Sequence, residues 1–210
     1  MGEYAFLIET HSRRYKLGAM ARRIHRYTYS DYVALEQDSP TKHEFFDGEI
    51  YAMGRGTEEH SALAAEVLYA LTAAVRDKPC RVHTSDLRIY VEAAGLATFP
   101  DGAVICGPLQ QHEPSPKATA LNPTVLLEIT SDSSEEYDNT VKLECYRTIP
   151  TLGDYIIVSH RERRITVHSR QEEDTWVTTV AIAGGRVALS SIGADLSVDE
   201  IYRASSIREP

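Results

Sequence analysis

The sequence predicts an α/β (α+β) fold, with a central mixed β-sheet flanked by helices and extra antiparallel hairpins. Three observations carry this expectation. Leu63, Val67, Leu71 and Ala74 recur at three- and four-residue spacing, the mark of an amphipathic helix. Ala103-Val104-Ile105-Cys106 and Val125-Leu126-Leu127-Glu128-Ile129 are short, almost continuously apolar runs, as strands buried on both faces are. Helical and strand patterns also alternate along the chain, which a layered sheet-and-helix domain explains.

The elements follow in order. Residues 1–26 read as a flexible extension, basic at Arg13-Arg14-Tyr15-Lys16 and again at Arg22-Arg23-Ile24-His25-Arg26, with Met20 as an alternative start. A domain of residues 27–203 opens with a short helix capped by Thr28 or Ser30 and ended before Pro40. Asp47-Gly48 turns a hairpin within 43–51. Thr57 caps the amphipathic helix, which runs over 57–76. Residues 82–91 alternate as one half-buried strand. The Pro-, Gln- and Ser-rich stretch 107–123 is a loop between core strands. A second helix covers Ser134 to Arg147 and stops before Pro150. Tyr155–Val158 is a strand, 164–168 and 176–180 form a hairpin, and Gly184-Gly185 turns into a last strand, Arg186 to Leu189. Residues 204–210 are a tail.

Composition excludes several classes. The chain has 210 residues and a formal net charge of -9. That balance argues against a protein that coats nucleic acid nonspecifically, because phosphate contacts need Lys and Arg. No apolar run approaches the roughly 20 residues of a membrane-spanning helix, and no secretory signal opens the chain, so a cytoplasmic protein with no membrane partner is expected. Cys80, Cys106 and Cys145 are widely spaced and odd in number, which predicts buried reduced thiols rather than a disulfide or a cysteine zinc site.

Two acids stand in apolar company. Asp101 follows Phe99-Pro100 and precedes a core strand, and Glu128 interrupts another. A lone buried carboxylate costs several kcal/mol unless it is paired, protonated or bound to a metal. Two carboxylates on neighbouring strands make an oxygen-ligand site for Mg²⁺ or Mn²⁺, an ion that uses few protein ligands and keeps several waters. A surface edge strand, or a buried arginine partner, would explain Glu128 without function.

The ordered motifs resemble a known family. Phe99-Pro100-Asp101, with Glu128-Ile129-Thr130 following 27 residues after Asp101, is similar to the P-D…(D/E)-x-K signature of restriction-endonuclease-like nucleases. The closer likeness is to the Uma-type restriction endonucleases. It rests on the Tyr27–Tyr32 segment, the 43–49 hairpin, Ser85-Asp86-Leu87-Arg88-Ile89, the Ser131–Ser134 turn, Lys142 with Tyr146, and the strand 154–158, and it spans residues 27 to 202. Thr130 stands where the general signature has lysine; in the subgroup that lysine lies on the following helix, and Lys142 matches it. The resemblance implies an Mg²⁺- or Mn²⁺-dependent endonuclease acting on DNA, as a homodimer. Asp101 and Glu128 would hold the metal, with the Ile129 carbonyl. Lys142 would orient water or stabilise phosphate charge, and Glu44 would be an upstream fourth member. The competing expectation is a noncatalytic binding or assembly module that keeps the fold. His60 is expected to be a polar helix-end residue more often than a site residue. Asp86 is expected to be a turn residue, and Ser131, Ser133 and Ser134 to be capping residues.

Overall fold

The computed structural model describes residues 26–54, 56–112, 118–172 and 175–207. The expectations for residues 1–25, including Met20, lie outside them. The element order is α1 (Tyr29–Asp38), β1 (His43–Phe46), β2 (Glu49–Ala52), α2 (Glu58–Ala74), β3 (Cys80–Thr84), β4 (Arg88–Val91), β5 (Leu96–Thr98), β6 (Gly102–Cys106), β7 (Thr119–Ala120) and β8 (Val125–Ile129). There follow α3 (Glu135–Asn139), α4 (Val141–Arg147), β9 (Asp154–Val158), β10 (Arg164–Arg170), β11 (Trp176–Ile182), β12 (Arg186–Leu189), β13 (Ala194–Ser197) and α5 (Val198–Ile201).

The central sheet has six strands in the order β11-β10-β9-β8-β6-β3, mixed because β8 and β9 run parallel. A five-stranded sheet, β2-β1-β5-β4-β7, stands beside it, and β12-β13 is a separate hairpin. The expected architecture is therefore present, with a second sheet added.

Local chemistry sets the elements. Thr28 caps α1 in a reciprocal box with Asp31, and Thr57 caps α2 by accepting the His60 N–H. Asp47 and Gly48 both adopt positive φ, 48° and 80°, as a tight two-residue hairpin turn demands. Leu63, Val67 and Leu71 are the buried stripe of α2, each contributing roughly 1.5–3 kcal/mol by burial. They pack with Val125, Leu127 and Ile129 on one face of β8. Leu126 belongs to the other face, with Leu143 and Tyr146 of α4.

Several expectations need correction, beginning with the strand 186–189, which is not the last because β13 follows and pairs with it. The 82–91 strand is two strands, because the chain turns at Ser85–Leu87 and crosses from the six-stranded sheet to the five-stranded one. Period-two alternation continues through such a corner and hides it. The 134–147 helix is broken at Thr140, whose φ and ψ of -125° and -87° lie outside the helical region, giving α3 and α4. Part of the 107–123 loop pairs with β4 as β7. Finally, Cys80 and Cys106 form a disulfide and only Cys145 is a free buried thiol. The two cysteines are direct partners in the β3–β6 register, with Cα atoms 3.9 Å apart, a proximity that no sequence spacing of 26 residues announces. At the other end of the chain, Ser206 binds Glu59 and Ile207 packs on the core, so residues 205–207 are docked.

Candidate active site

The chain leaves the five-stranded sheet after β5 and enters the six-stranded sheet at β6. Asp101 sits at this crossing, just after Pro100, which has no N–H to continue β5. In the β6–β8 register Gly102 faces Leu127, so the next rung sets Asp101 opposite Glu128. Strand alternation then turns Glu128 to the α4 face with Leu126. The Asp101 carboxylate Oδ2 accepts the Ile129 N–H at 2.8 Å. The two acids are thus joined through one peptide unit.

Lys142 comes down from α4 between the sheets. Its Nζ lies 2.9 Å from Glu128 Oε1, 3.2 Å from Asp138 Oδ1 and 3.9 Å from Glu44 Oε2. All four side chains are buried. Tyr146, one turn after Lys142, donates its hydroxyl to Glu128 Oε1 at 2.8 Å. Glu44 of β1 is held by the Thr98 and Tyr137 hydroxyls, each at 2.6 Å, so it is a buried member of the cluster rather than a surface strand residue. Tyr155 lies within the field of Glu128, Asp138, Asp101 and Glu44 together.

One ammonium among three carboxylates cannot neutralise them. Burial disfavours the Lys142 charge, but Glu128, Asp138 and Glu44 outweigh it and hold the ammonium above its usual range. For Glu128, burial comes first and Asp138 and Asp101 add repulsion, against the pull of Lys142, so its carboxyl is pushed up to about 8. Asp138 is raised too, chiefly by burial. Such perturbation by burial and specific charges in one cluster marks a candidate functional site.

His60, in the first turn of α2, sets Nε2 3.2 Å from Asp101 Oδ2. The hydrogen bond to Asp101 is the main reason its ring is easier to protonate than usual. The expectation that His60 is merely a helix-end residue undervalued it. Asp138 and Tyr137 were not anticipated at all. The available signal was the i,i+4 spacing of Asp138 and Lys142 within the helix expected over 134–147. Asp86 is a turn residue, as expected, and it pairs with Lys42. Thr130, at the position of the displaced lysine, bonds His160 instead. Ser134 is the residue before α3, but its side chain bonds the Ser131 N–H rather than capping the helix.

Among the described residues, no three His, Cys, Asp or Glu side chains converge into a group that would hold a metal ion by themselves. Asp101 and Glu128 are the carboxylates that could serve an ion that keeps much of its water, one bound to the Ile129 N–H and the other in a cluster with a surplus of negative charge. Among the described residues, the contacts to Asp101 and Glu128 use Oδ2 and Oε1.

A family model, Uma2, described as "Putative restriction endonuclease", matches residues 29–199. The chain belongs to this family. Two uncharacterised proteins of Synechocystis sp. are similar to it. One is 33% identical over 175 residues, covering 82% of this chain and 90% of the relative. The other is 26% identical over 152 residues, covering 72% and 85%. The fold of this Uma2 chain is similar to the crystal structure of a "putative nuclease" belonging to DUF820 from Anabaena variabilis, with a TM-score of 0.64, 20% identity, and coverage of 82% of this chain and 97% of that one. Among the described residues of the Uma2 domain, no helix is long and apolar enough to cross a membrane.

Proposed function

We propose that this Uma2 protein is a divalent-metal-dependent endonuclease that hydrolyses DNA phosphodiester bonds. One observation carries the reading: a single ammonium, Lys142, is shared by three buried carboxylates, with Asp101, just before β6, bound to the peptide after Glu128. Buried negative charge in such excess is costly unless a carboxyl keeps its proton, as the raised Glu128 can, or a cation enters. Asp101 and Glu128 are the residues to hold Mg²⁺ or Mn²⁺. When bound, the ion lowers the pKa of its water and offsets charge on phosphate oxygens.

The protein groups do the positioning. The Ile129 N–H and His60 orient Asp101. Tyr146 and Lys142 hold Glu128 Oε1. Lys142 is well placed to direct an attacking water and to stabilise negative charge on the phosphate, since its neighbours keep it protonated. Glu44, fixed by Thr98 and Tyr137, restrains the Lys142 amine from the five-stranded sheet. A DNA substrate places the protein in the cytoplasm, where the thiol pool would tend to reduce Cys80–Cys106. The single domain spans 27–203 and acts as a homodimer, one site to each strand of the duplex.

The test is cleavage of plasmid and linear DNA in Mg²⁺ or Mn²⁺, beside Asp101→Ala and Lys142→Ala. Cleavage by the wild type alone is the expected result. Equal cleavage by all three would overturn the site, and DNA binding without any cleavage would favour a noncatalytic module.

A further inference from the structure

Among the described residues, β11 is an outer strand of the six-stranded sheet. Its inner neighbour fixes which of its peptide groups are taken. Arg170 gives its N–H to Gly153, on the β9 side, and Gln171 gives its N–H to Thr175. In the β10–β11 register, Val177, Thr179 and Ala181 therefore bond β10, and Trp176, Thr178 and Val180 turn their peptide groups outward. Val177, Val180 and Ile182 are 48%, 54% and 64% exposed. The strand has seven residues, Trp-Val-Thr-Thr-Val-Ala-Ile, and none is charged. The other outer strands differ. β3 carries Arg81, β2 Glu49, β12 Arg186 and β13 Asp195, and β7 has only two residues. Charge and shortness are ordinary protections of a sheet edge against pairing with another chain, and β11 has neither.

We propose that β11 pairs antiparallel with β11 of a second copy of this chain, about a two-fold axis at Thr179, so that the two six-stranded sheets become one. The inference rests on the proposed function only for its homodimer, not for metal or cleavage. Charge decides the occupant. Each copy has a net charge of -9, so two copies meet most readily where acids are absent or matched. The middle of β11 is neutral and its two ends are opposite in sign. Exposed Glu172 precedes the strand, and exposed Arg186 follows it around the Gly184-Gly185 turn. Antiparallel pairing brings the Glu172 end of each copy to the Arg186 end of the other, twice by symmetry. A parallel alignment would set like charges side by side. The register about Thr179 places Thr178 opposite the partner's Val180, where the outward peptide groups meet. It also places Trp176 opposite the partner's Ile182, an aromatic–aliphatic cross-strand pair. Ile182, the most exposed of the three apolar side chains, is covered by that pair.

The experiment is sedimentation velocity on the full chain over about 1–300 µM, for wild type and Val180→Lys, with circular dichroism as the check of folding. The wild type is expected to pass from monomer to dimer in this range, as suits an interface built on one strand edge of roughly 24 Å. Val180→Lys, at an exposed position, should keep the fold and dimerise at least about tenfold more weakly. Oxidised Thr179→Cys should link to its own copy, because a residue on the axis meets itself at a Cα separation of about 4.5 Å. Val177→Cys, which faces the partner's Ala181, should not link, and the wild type, whose free Cys145 is buried, is the blank. A dimer that Val180→Lys leaves intact and Thr179→Cys does not link overturns the β11 interface and leaves the homodimer standing. A wild type that stays monomeric at every concentration overturns both. DNA cleavage is read separately, so its absence in a β11-linked dimer would count against the nuclease reading and not against this interface.

Discussion

Two buried carboxylates stand on adjacent parallel strands, three residues apart in register, and have opposite surroundings. Asp154 opens β9 and is fully buried. It accepts the Ser169 hydroxyl at 2.5 Å, and the Ser191 N–H and hydroxyl at 2.9 and 2.5 Å. These neutral donors tie β9 to β10 and to the loop after β12, and Gly153 packs directly against Ser191. Glu128, on the neighbouring strand and paired with Ile157, instead shares one lysine with two other acids. A buried acid is therefore not in itself a mark of function. What separates the two is whether the surroundings were completed by donors or left with surplus charge.

The largest expected effect is at Lys142. Lys142→Met leaves Glu44, Glu128 and Asp138 with no ammonium. Loss of DNA cleavage is expected, together with about 3–5 kcal/mol of stability at pH 8. Urea denaturation at pH 8 and pH 5 measures it, and the loss should shrink at pH 5, where the acids can take up protons.

Exchanging amide for acid at the two sites sharpens the contrast. Asp154→Asn should cost about 2–4 kcal/mol in urea melts, because hydrogen bonds to a charged acceptor are lost, with cleavage per folded molecule unchanged. Glu128→Gln should abolish cleavage while changing stability at pH 5 by less than about 1 kcal/mol, since the raised carboxyl is neutral there as the amide is. Reversed stability effects would break the comparison.

The pH dependence follows from the same asymmetry. Glu128 holds its proton more tightly in the folded chain, near 8 against 4.5 when unperturbed. Its contribution is therefore fully present below about 4.5 and lost as pH rises through 8. Lys142 is also raised, so its contribution is lost only above its unperturbed value of 10.5 and does not oppose this trend. Thermal melts should show a decline from pH 5 to 8.5 that Glu128→Gln flattens; a flat wild-type profile would contradict it.

Smaller effects lie away from the cluster. Reducing Cys80–Cys106, or replacing Cys80 by Ser, should lower stability by about 2–4 kcal/mol through loss of a closed loop, read as a drop in melting temperature with dithiothreitol that the Ser variant does not share. Thr57→Ala should cost about 1 kcal/mol by uncapping α2, measured by urea melts, and loosen the hold on His60.

Much of the fold was legible because it is written in local periodicity and turn chemistry. The α2 stripe, the Asp47-Gly48 hairpin and the apolar runs of β6 and β8 each depend on neighbours in sequence. The break at Ser85–Leu87 was not legible, because alternation looks alike in one strand or two. The extra helix after β13 was missed for want of length, since α5 has only four residues.

Within the candidate site, Asp101 and Glu128 drew attention as acids in apolar runs, and Lys142 and Glu44 through likeness to a family pattern. Asp154 shared their burial but lay at a strand edge where no pattern singled it out.

The sequence by itself determined most helices and strands and which acids would be expensive to bury, because both depend on neighbours along the chain. Tertiary structure alone decided that Cys80 meets Cys106, that Asp138 and Glu44 compete with Glu128 for Lys142, and that His60 stands on Asp101. These are contacts between residues on different strands and helices, or between helices the sequence does not divide. Their energies are set by strand register and by the loss of water in the space between two sheets.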